Sequence, residues 1–300
     1  MTAIAPTRVT SLPEPSGRRA GLRGELASEW TKLRTVRSTW ICLAIIVVAG
    51  VGLSALVLSI EAGRWVHLAA DERALFDPVR SSQTGLFLAE FVVGVLGALV
   101  VTSEYGTGAM RTTLASVPRR TSVLIAKLLV VGAVVLVVAE VTAFASFFVG
   151  QAVLLGQGGT SLPAGSTLID QVHAANVPVY GIGHPGALRA VFFGGLYLVL
   201  LAFLACAIGF ILRHTAGSIS TYVGVLLVLP LIVSILPSSF ANSFEKYLPS
   251  NLGLGMTAVT TRTTDFAGIL LTPWVAAGVL AAYAAAASLL AGWLLVRRDA

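Results

Sequence analysis

The chain has 300 residues, of which 56% are hydrophobic and 11% are charged, and its mean hydropathy is +0.87. This composition excludes an ordinary soluble globular protein. The net charge of +6 is spread along the chain in the way that membrane topology requires, so it does not indicate a nucleic-acid partner. Because lipid cannot hydrogen bond to the backbone, the sequence predicts an all-α integral membrane protein.

The first 39 residues precede any apolar run. Residues 1–21 are rich in Pro, Ser, Thr and Arg and are predicted to be a disordered cytoplasmic tail. Residues 22–39 are predicted to form an amphipathic helix in the headgroup plane, with its apolar stripe on the membrane. That stripe contains Leu22, Leu26, Trp30, Leu33 and Val36. The other face carries Arg23, Glu25, Glu29, Lys32, Arg34 and Arg37. Whether this charged face also contacts a cytoplasmic partner is left open.

Residues 40–300 are predicted to form one transmembrane domain. Six apolar runs can cross a hydrocarbon core of about 30 Å. They are about residues 40–60, 86–101, 123–155, 188–212, 218–236 and 274–296. The third run is longer than a bilayer requires, so it must tilt, break near Gly150 or protrude into the outer loop.

The distribution of Lys and Arg predicts a multi-pass protein of the cell membrane with both termini in the cytoplasm. Aromatic residues near the ends of the first and last runs are typical of interfacial anchors, and they are Trp40, Trp65, Trp274 and Trp293. In the last outer loop, Phe240, Phe244, Tyr247 and Leu248 fall on one helical face, which predicts short helices that dip back toward the membrane.

Motifs for catalysis and for metal binding are missing from the sequence. It has no G-x-x-x-x-G-K-[ST] loop for nucleotide phosphates and no H-E-x-x-H pair for zinc. Cys42 and Cys206 both fall within apolar runs and are interpreted as small buried side chains. We therefore expect no enzymatic activity, no catalytic residues, no directly bound cofactor and no metal site in this chain.

Two carboxylates, Glu90 and Glu140, lie within the second and third runs. An acid in a membrane span costs about 2.5–3.5 kcal/mol to insert near the bilayer centre and often marks a functional site. Both are predicted to lie in the outer half of the bundle. They are either a polar patch or proton site on a translocation path, or structural groups that are protonated or hydrogen bonded to a neighbouring helix.

The stretch SEYGTGAMRTTLASVPRR, residues 103–120, must form a cytoplasmic hairpin between the second and third runs. Met110, Leu114 and Val117 have the spacing of an apolar helical stripe, and Arg111 and Thr112 point elsewhere. Glu104 precedes this short helix, and Pro118 followed by Arg119 and Arg120 ends it. Composition alone leaves open whether the hairpin is a membrane-surface linker or a docking element.

Three phrases carry a family resemblance: SEWTKLRTVRSTW before the first run, VVTSEYGTGAMRTTLASVPRR followed by AKLLV, and KYLPSN in the last outer loop. Together they resemble the permease subunit of ABC-2 type transporters in its actinobacterial form, over the chain after about residue 22. The resemblance implies that six helices form half of a dimeric unit, as a homodimer or with a paired permease. It also implies that a separate ATPase subunit carries ATP and Mg²⁺.

The resemblance further implies a role for three segments. The hairpin becomes the coupling helix that contacts the ATPase, through Glu104, Tyr105, Gly106, Arg111, Thr112, Pro118, Arg119 and Arg120. Residues 22–38 become the interfacial connecting helix, with Trp30, Lys32, Leu33, Arg34 and Arg37, and residues 240–254 become re-entrant outer helices. Residues 213–217 would form a minor second contact with the ATPase.

The function implied is that of an ATP-driven exporter half, coupled to a separate ATPase and moving an unidentified hydrophobic substrate. A proton-coupled secondary transporter that uses Glu90 and Glu140 is the alternative, although we see no inverted repeat with matching broken helices. A membrane enzyme is disfavoured because the sequence shows no catalytic constellation. Membrane lipid and the ATPase are thus the expected partners, and nucleic acid is not.

Overall fold

The fold is taken from a computed structural model, which describes residues 21–116, 120–163, 166, 174–237, 241, 243–259 and 270–297. The predicted tail lies outside these residues, except for Gly21. Val117, Pro118 and Arg119 of the hairpin and Phe240 of the last outer loop also lie outside them.

Helices make up most of the described chain. The first half contains α1 (Leu22–Thr35), α2 (Arg37–Arg64), a 3-10 turn (Trp65–His67), α3 (Ala70–Leu75), α4 (Pro78–Ser82), α5 (Leu86–Gly106), α6 (Ala109–Ser116) and α7 (Arg120–Gly156). The second half contains two short paired strands, β1 (Thr160–Ser161) and β2 (Pro178–Val179), then α8 (Ala187–Leu212), α9 (Thr215–Val223), a π-helical turn (Gly224–Val228), α10 (Leu229–Ile235), a 3-10 turn (Glu245–Tyr247), α11 (Pro249–Thr257) and α12 (Pro273–Arg297).

Six helical segments of the described residues are long and apolar enough to cross a membrane. They are Arg37–His67, Leu86–Gly106, Arg120–Gly156, Ala187–Leu212, Thr215–Ile235 and Pro273–Arg297. The predicted all-α membrane fold with six spans is therefore confirmed. We call the end of the bundle that carries α6 the hairpin end, and the other end, which carries α3, α4 and α11, the loop end.

α8 is the central helix of the bundle. It packs against α5, α7 and α12, and most of its side chains are buried. Glycines on its neighbours permit close approach: a Cβ atom on Gly97 of α5 would lie 2.9 Å from the Ala202 carbonyl oxygen, and one on Gly132 of α7 would lie 2.6 Å from the Phe203 ring. Membrane helices associate through such close packing, because burial against lipid supplies little driving force.

α7 runs without interruption for 37 residues, about 55 Å at the usual helical rise. The break that we considered near Gly150 does not occur. Gly150 lies inside the helix, where a Cβ atom would meet Leu58 at 2.4 Å and Ser82 at 3.1 Å. The glycine therefore allows α2 and α4 to pack closely on a continuous α7.

The fifth span is less regular than the sequence analysis predicted. Its middle, Gly224–Val228, is a π-helical turn, and Pro230 follows at the start of α10. Proline has no N–H to donate to the carbonyl four residues before it, which here belongs to Leu226. The hydroxyl of Ser250, in the first turn of α11, donates to this Leu226 carbonyl at 3.0 Å. The irregular turn is thus joined to the segment that covers the loop end.

The loop end is closed by a layer of buried side chains. Trp65 is 1% exposed, donates its indole N–H to the Ala174 carbonyl at 3.3 Å and packs edge-on against Phe76. The interpretation of Trp65 as a lipid-facing anchor is therefore wrong, because the first outer loop folds over it. The three other tryptophans named as anchors are exposed, namely Trp40, Trp274 and Trp293.

Short helices do follow the fifth span in the last outer loop. The 3-10 turn Glu245–Tyr247 leads into α11, which packs against α8 and α12. Gly253 makes this contact possible, since a Cβ atom there would lie 2.6 Å from the Tyr197 ring. α11 is therefore held in the bundle as a packed element of the loop end.

Candidate functional site at the hairpin end

α6 forms the hairpin between the second and third spans. Gly108 has a φ of +74°, the left-handed conformation that favours glycine, and it turns the chain from α5 into α6. Met110 and Leu114 are buried in the main hydrophobic core, whereas Arg111 and Thr112 are exposed. One face of α6 is therefore fixed to the bundle, and the other presents a cation and a hydroxyl to the solvent.

A buried lysine lies directly behind this hairpin. Lys127, in the second turn of α7, is 1% exposed, and its ammonium group donates to Glu29 Oε2 at 2.5 Å, to Glu104 Oε1 at 2.8 Å and to the Val100 carbonyl at 3.3 Å. All three of its N–H donors therefore have acceptors, as a buried ammonium group requires. Lys32 completes the group, 2.7 Å from Glu29 and 3.1 Å from Glu104. We call Glu29, Lys32, Glu104 and Lys127 the charge cluster.

The charge cluster joins three elements. Glu29 and Lys32 come from α1, Glu104 comes from the last turn of α5, and Lys127 comes from α7. Two lysines and two glutamates leave no net charge, which lowers the cost of burying them together. Motion of any one of these helices relative to the others would separate buried charges, so the cluster favours their moving as one body.

The sequence analysis expected the charged face of α1 to be exposed, but part of this face is buried. Glu29 is 5% exposed and Glu25 is 8% exposed, and Glu25 accepts a hydrogen bond from Ser122 of α7 at 3.0 Å. Leu33 is buried beside them, whereas Trp30 is 47% exposed. The reason for the difference is that α1 packs along α7, so its carboxylates point into the protein.

The remaining residues predicted for the interfacial helix differ in position. Arg34 and Arg37 are exposed, and the Arg34 carbonyl accepts a hydrogen bond from the indole of Trp40 at 2.9 Å. Lys32 is half-buried within the charge cluster. The exposed Trp30 and Trp40 thus remain available to a membrane surface, while Lys32 and Leu33 are used for packing inside the protein.

The residues predicted for the ATPase contact differ in their exposure. Gly106, Arg111 and Thr112 are exposed around α6. Glu104 is buried in the charge cluster, so it differs from our expectation of a group that faces the cytosol. Arg120 is half-buried at the start of α7 and donates to the Leu295 carbonyl of α12 at 3.5 Å. Two further members of that set, Pro118 and Arg119, lie outside the described residues.

The second turn at the hairpin end, between α8 and α9, contacts the end of α5. The guanidinium carbon of Arg213 lies 5.2 Å from the centre of the Tyr105 ring, and this ring packs edge-on against Phe210. The Thr215 hydroxyl donates to the Thr102 hydroxyl at 2.9 Å. The end of α5 is therefore connected both to the charge cluster and to the start of the fifth span.

The sequence analysis did not identify Lys127 as a candidate site residue. A signal for its role does exist, because a lysine two turns into an apolar helix must find a carboxylate or pay a large desolvation cost. Glu104 was the nearest candidate at the same membrane depth. Glu29 could not be chosen as the second partner, since the packing of α1 along α7 is a tertiary feature.

Acid is expected to weaken the charge cluster. Burial acts to raise the pKa of Glu29, but the adjacent Lys127 and Lys32 outweigh it and hold that pKa below its usual value. A carboxyl group whose pKa is lower when folded contributes stability above its unfolded pKa and loses it as the pH falls through the folded pKa. The midpoint temperature of thermal unfolding should therefore decrease as the pH is lowered from about 5 to about 3. Glu29→Gln should show a smaller fall across this range, and an equal fall would contradict the prediction.

The two intramembrane carboxylates lie against different faces of α8. Glu90 is 2% exposed and accepts a hydrogen bond from the Tyr197 hydroxyl at 2.5 Å, while the Tyr222 hydroxyl donates to the Glu90 backbone carbonyl at 2.8 Å. Glu140 lies against Gly195, where a Cβ atom would be 2.5 Å from its carboxyl carbon. Positions 195 and 197 point in nearly opposite directions on a helix, so α8 separates the two acids.

The environments of these acids also differ. Glu90 has the kind of hydrogen bond to a neighbouring helix that the structural interpretation required. Neither carboxylate oxygen of Glu140 has a hydrogen-bond partner among the described residues. The geometry therefore does not bring Glu90 and Glu140 together into one proton site.

Comparison with known proteins agrees with this architecture. The sequence profile described as "ABC-2 family transporter protein" matches residues 26–172. The matched part contains α6 and all four residues of the charge cluster. No curated protein matches the chain significantly. The matched part of the chain is thus similar to the ABC-2 family of transporter proteins, and this match together with the six spans confirms the resemblance drawn from the sequence.

Proposed function

We propose that this chain is the permease subunit of an ATP-driven exporter, and that α6 is where a separate ATPase subunit docks. The observation that carries the proposal is the division of α6 into two faces. Met110 and Leu114 anchor it in the core, and Arg111 and Thr112 are exposed at the surface. When a partner displaces a short helix that is held in this way, the helix transmits the displacement to the bundle.

The charge cluster supports a route by which a displacement of α6 would reach the other helices. α5 ends at Gly106, two residues after Glu104, and α6 begins three residues later. Glu104 is bound to Lys127 of α7 and to Lys32 of α1. A displacement of α6 would thus move α1, α5 and α7 together, and the Tyr105–Arg213 contact would pass it to α8 and α9.

In this proposal the chemistry of ATP takes place on the partner subunit, which would hold ATP and Mg²⁺. The work of the permease is conformational: binding of ATP shifts the population between two arrangements of the spans. Two permeases would pair in the membrane as a homodimer or with a related chain, each with its own ATPase. The hairpin end, with both termini, would face the cytoplasm.

Charge reversal at α6 tests the docking directly. Arg111→Glu should abolish or strongly reduce co-purification of the partner ATPase subunit, because it replaces an exposed cation at the centre of the proposed contact. The measurement is the ratio of the two subunits after affinity purification from detergent. Thr112→Ala, a small change on the same face, should cause a weaker loss.

A matched control uses an exposed arginine at the loop end. Arg64→Glu makes the same charge reversal on the other side of the membrane and should leave the subunit ratio unchanged. Thermal unfolding of both variants should match that of the native protein, since both positions are exposed. Retention of the ATPase by Arg111→Glu at the native ratio would refute docking at α6.

Transport measurements separate this function from a proton-coupled carrier. In vesicles that contain both subunits, export should require ATP and persist when the proton gradient is collapsed. The separation of Glu90 and Glu140 by α8 supports this expectation. Transport by the permease alone under a proton gradient would overturn it.

A further inference from the structure

A groove of about 600 Å³ lies on the side of the bundle, toward the loop end. Its walls come from α8, the fifth span, the segment before α11 and α12, through residues such as Leu204, Leu229, Val233, Leu248 and Tyr283. This volume is within the range of about 300–1,000 Å³ that is typical of small-molecule sites. The groove lies far from α6, so the docking function does not account for it.

The length of the groove matches one leaflet of a membrane. Its lining on the fifth span extends from Val225 to Leu236, which is about 16 Å at the helical rise. Half of a hydrocarbon core of about 30 Å has nearly the same depth. A hydrocarbon chain that enters at the loop end would therefore reach the middle of the bilayer along this wall.

The groove is open to lipid on one side. Leu229, Ile232 and Leu236 line it and are 40%, 53% and 45% exposed. The opposite wall is closed, because Val233 and Leu248 are buried in a small apolar cluster. A molecule can thus enter sideways from the leaflet and still lie against a packed surface.

Polar chemistry is found where the groove meets the loop. The Tyr283 hydroxyl donates to the Tyr247 carbonyl at 3.2 Å, and the Lys246 ammonium lies 5.3 Å from the centre of the Tyr247 ring. Lys246 is half-buried and has no carboxylate within ion-pair distance among the described residues. Glu245 is next to it in sequence, and the backbone carbonyl of Glu245 accepts a hydrogen bond from the Asn251 side-chain amide. An anion at this mouth would supply the partner that Lys246 lacks.

The wall of the groove that the fifth span forms is not a regular α-helix. The π-helical turn and Pro230 interrupt the fifth span, and the Ser250 hydroxyl donates a hydrogen bond to the Leu226 carbonyl. Such turns are frequent at functional sites. The wall residue Val225 lies within this turn, and Leu229 directly follows it.

We propose that this groove binds the hydrocarbon chain of a single-chain anionic amphiphile, with the anionic headgroup beside Lys246. The inference deepens the proposed function, because it names a chemical class for the transported molecule and rests on export as the activity. The chain would lie along Leu229, Val233 and Leu248, and Tyr247 would form the boundary between chain and headgroup.

A photoactivatable fatty acid with a diazirine near the middle of its chain tests the site in the full-length protein. The protein is placed in phosphatidylcholine nanodiscs, illuminated, digested and mapped by mass spectrometry. Labels should concentrate on peptides that contain Leu229–Leu236 and Phe244–Pro249. Unlabelled fatty acid should compete for them.

Two leucines on the same helix give a matched pair of variants. Leu229→Trp fills the groove and should remove most of the labelling. Leu231→Trp places the same bulk at a residue that is 62% exposed and does not line the groove, so labelling should be unchanged. Equal labelling of both variants would overturn the proposal, since it would show that the probe samples the lipid-facing surface at random.

The headgroup is tested separately. Lys246→Gln should lower labelling by the fatty acid about two- to fivefold, the size expected for one partly exposed ion pair. It should not alter labelling by the neutral monoacylglycerol with the same chain. An equal loss for both probes, or no loss for either, would refute the anionic headgroup contact.

Two further outcomes bear on the proposal. If a second copy of the chain covers the groove, Leu229→Trp will convert a dimer into a monomer and the fatty acid will not label the native dimer, which would overturn the site. The Arg111→Glu variant should label normally while it loses the ATPase. Failure of the groove and failure of the docking function are therefore distinguishable.

Discussion

Replacement of Lys127 by Met is expected to be among the most damaging single substitutions in the bundle. It removes the buried cation between Glu29 and Glu104, which is 1% exposed, and leaves them only the partly exposed Lys32. Removal of one partner from a buried ion pair typically costs about 3–5 kcal/mol. The midpoint of thermal unfolding should drop sharply, and the helices that meet in the charge cluster should lose their fixed arrangement.

Lys32→Met is the matched control for this prediction. Lys32 contacts the same two carboxylates but is 34% exposed, and such pairs are worth about 0–1 kcal/mol. Its unfolding midpoint should lie close to that of the native protein. Equal losses for the two variants would show that burial does not set the strength of the cluster.

The Lys127→Met variant also has a functional consequence that can be measured. If the cluster transmits motion from α6, the variant should still bind the ATPase, because the exposed face of α6 is intact. ATP hydrolysis and transport should then become uncoupled, with hydrolysis retained and export reduced. Normal export by a correctly folded variant would contradict a transmitting role for the cluster.

The second large effect is expected for Gly85→Ala. Gly85 precedes α5 and lies against α2, where an added Cβ atom would be 1.7 Å from the Gly50 carbonyl oxygen and 2.7 Å from Ser54 Oγ. Its φ of −62° suits any residue, so the penalty comes from contact alone. A backbone oxygen cannot rotate away as a side chain can, and the two helices must separate. Overpacking of this kind costs about 1–3 kcal/mol and occasionally more.

Gly52→Ala isolates this effect on the same pair of helices. A Cβ atom on Gly52 would meet nothing within 4 Å, and alanine favours a helix over glycine by about 1 kcal/mol. This variant should be as stable as the native protein or slightly more so. The comparison requires only the unfolding midpoints in one detergent, and a stable Gly85→Ala would refute the close approach of α2 and α5.

Hydropathy was sufficient to predict the six spans, since a run of about 20 apolar residues in lipid has few alternatives to a helix. Helical spacing likewise predicted an apolar stripe that includes Met110 and Leu114 on α6, and both side chains are buried in the bundle. These features depend on local periodicity. They require no knowledge of which helix neighbours which.

Features that depend on tertiary contacts were not predictable in this way. Trp65 has the position of an interfacial anchor in the sequence, but the loop that follows it folds back and buries it. Glu29 lies on the polar side of an amphipathic helix, yet α7 supplies a lysine at that side. In both cases the pattern was typical of a membrane surface, and a neighbouring segment replaced that surface.

The unbroken length of α7 has a mechanical consequence for the whole molecule. Lys127 fixes this helix near one surface, and Gln151, 24 residues and about 36 Å further along, accepts from the Tyr180 N–H and donates to the Pro78 carbonyl near the other. A stiff rod of this length turns a small tilt into a large excursion: about 10° at one end displaces the other by about 6 Å, within the range of rigid-body shifts in switching proteins. A small tilt of α7 at the hairpin end would thus shift the side chains packed on it at the loop end by several ångströms.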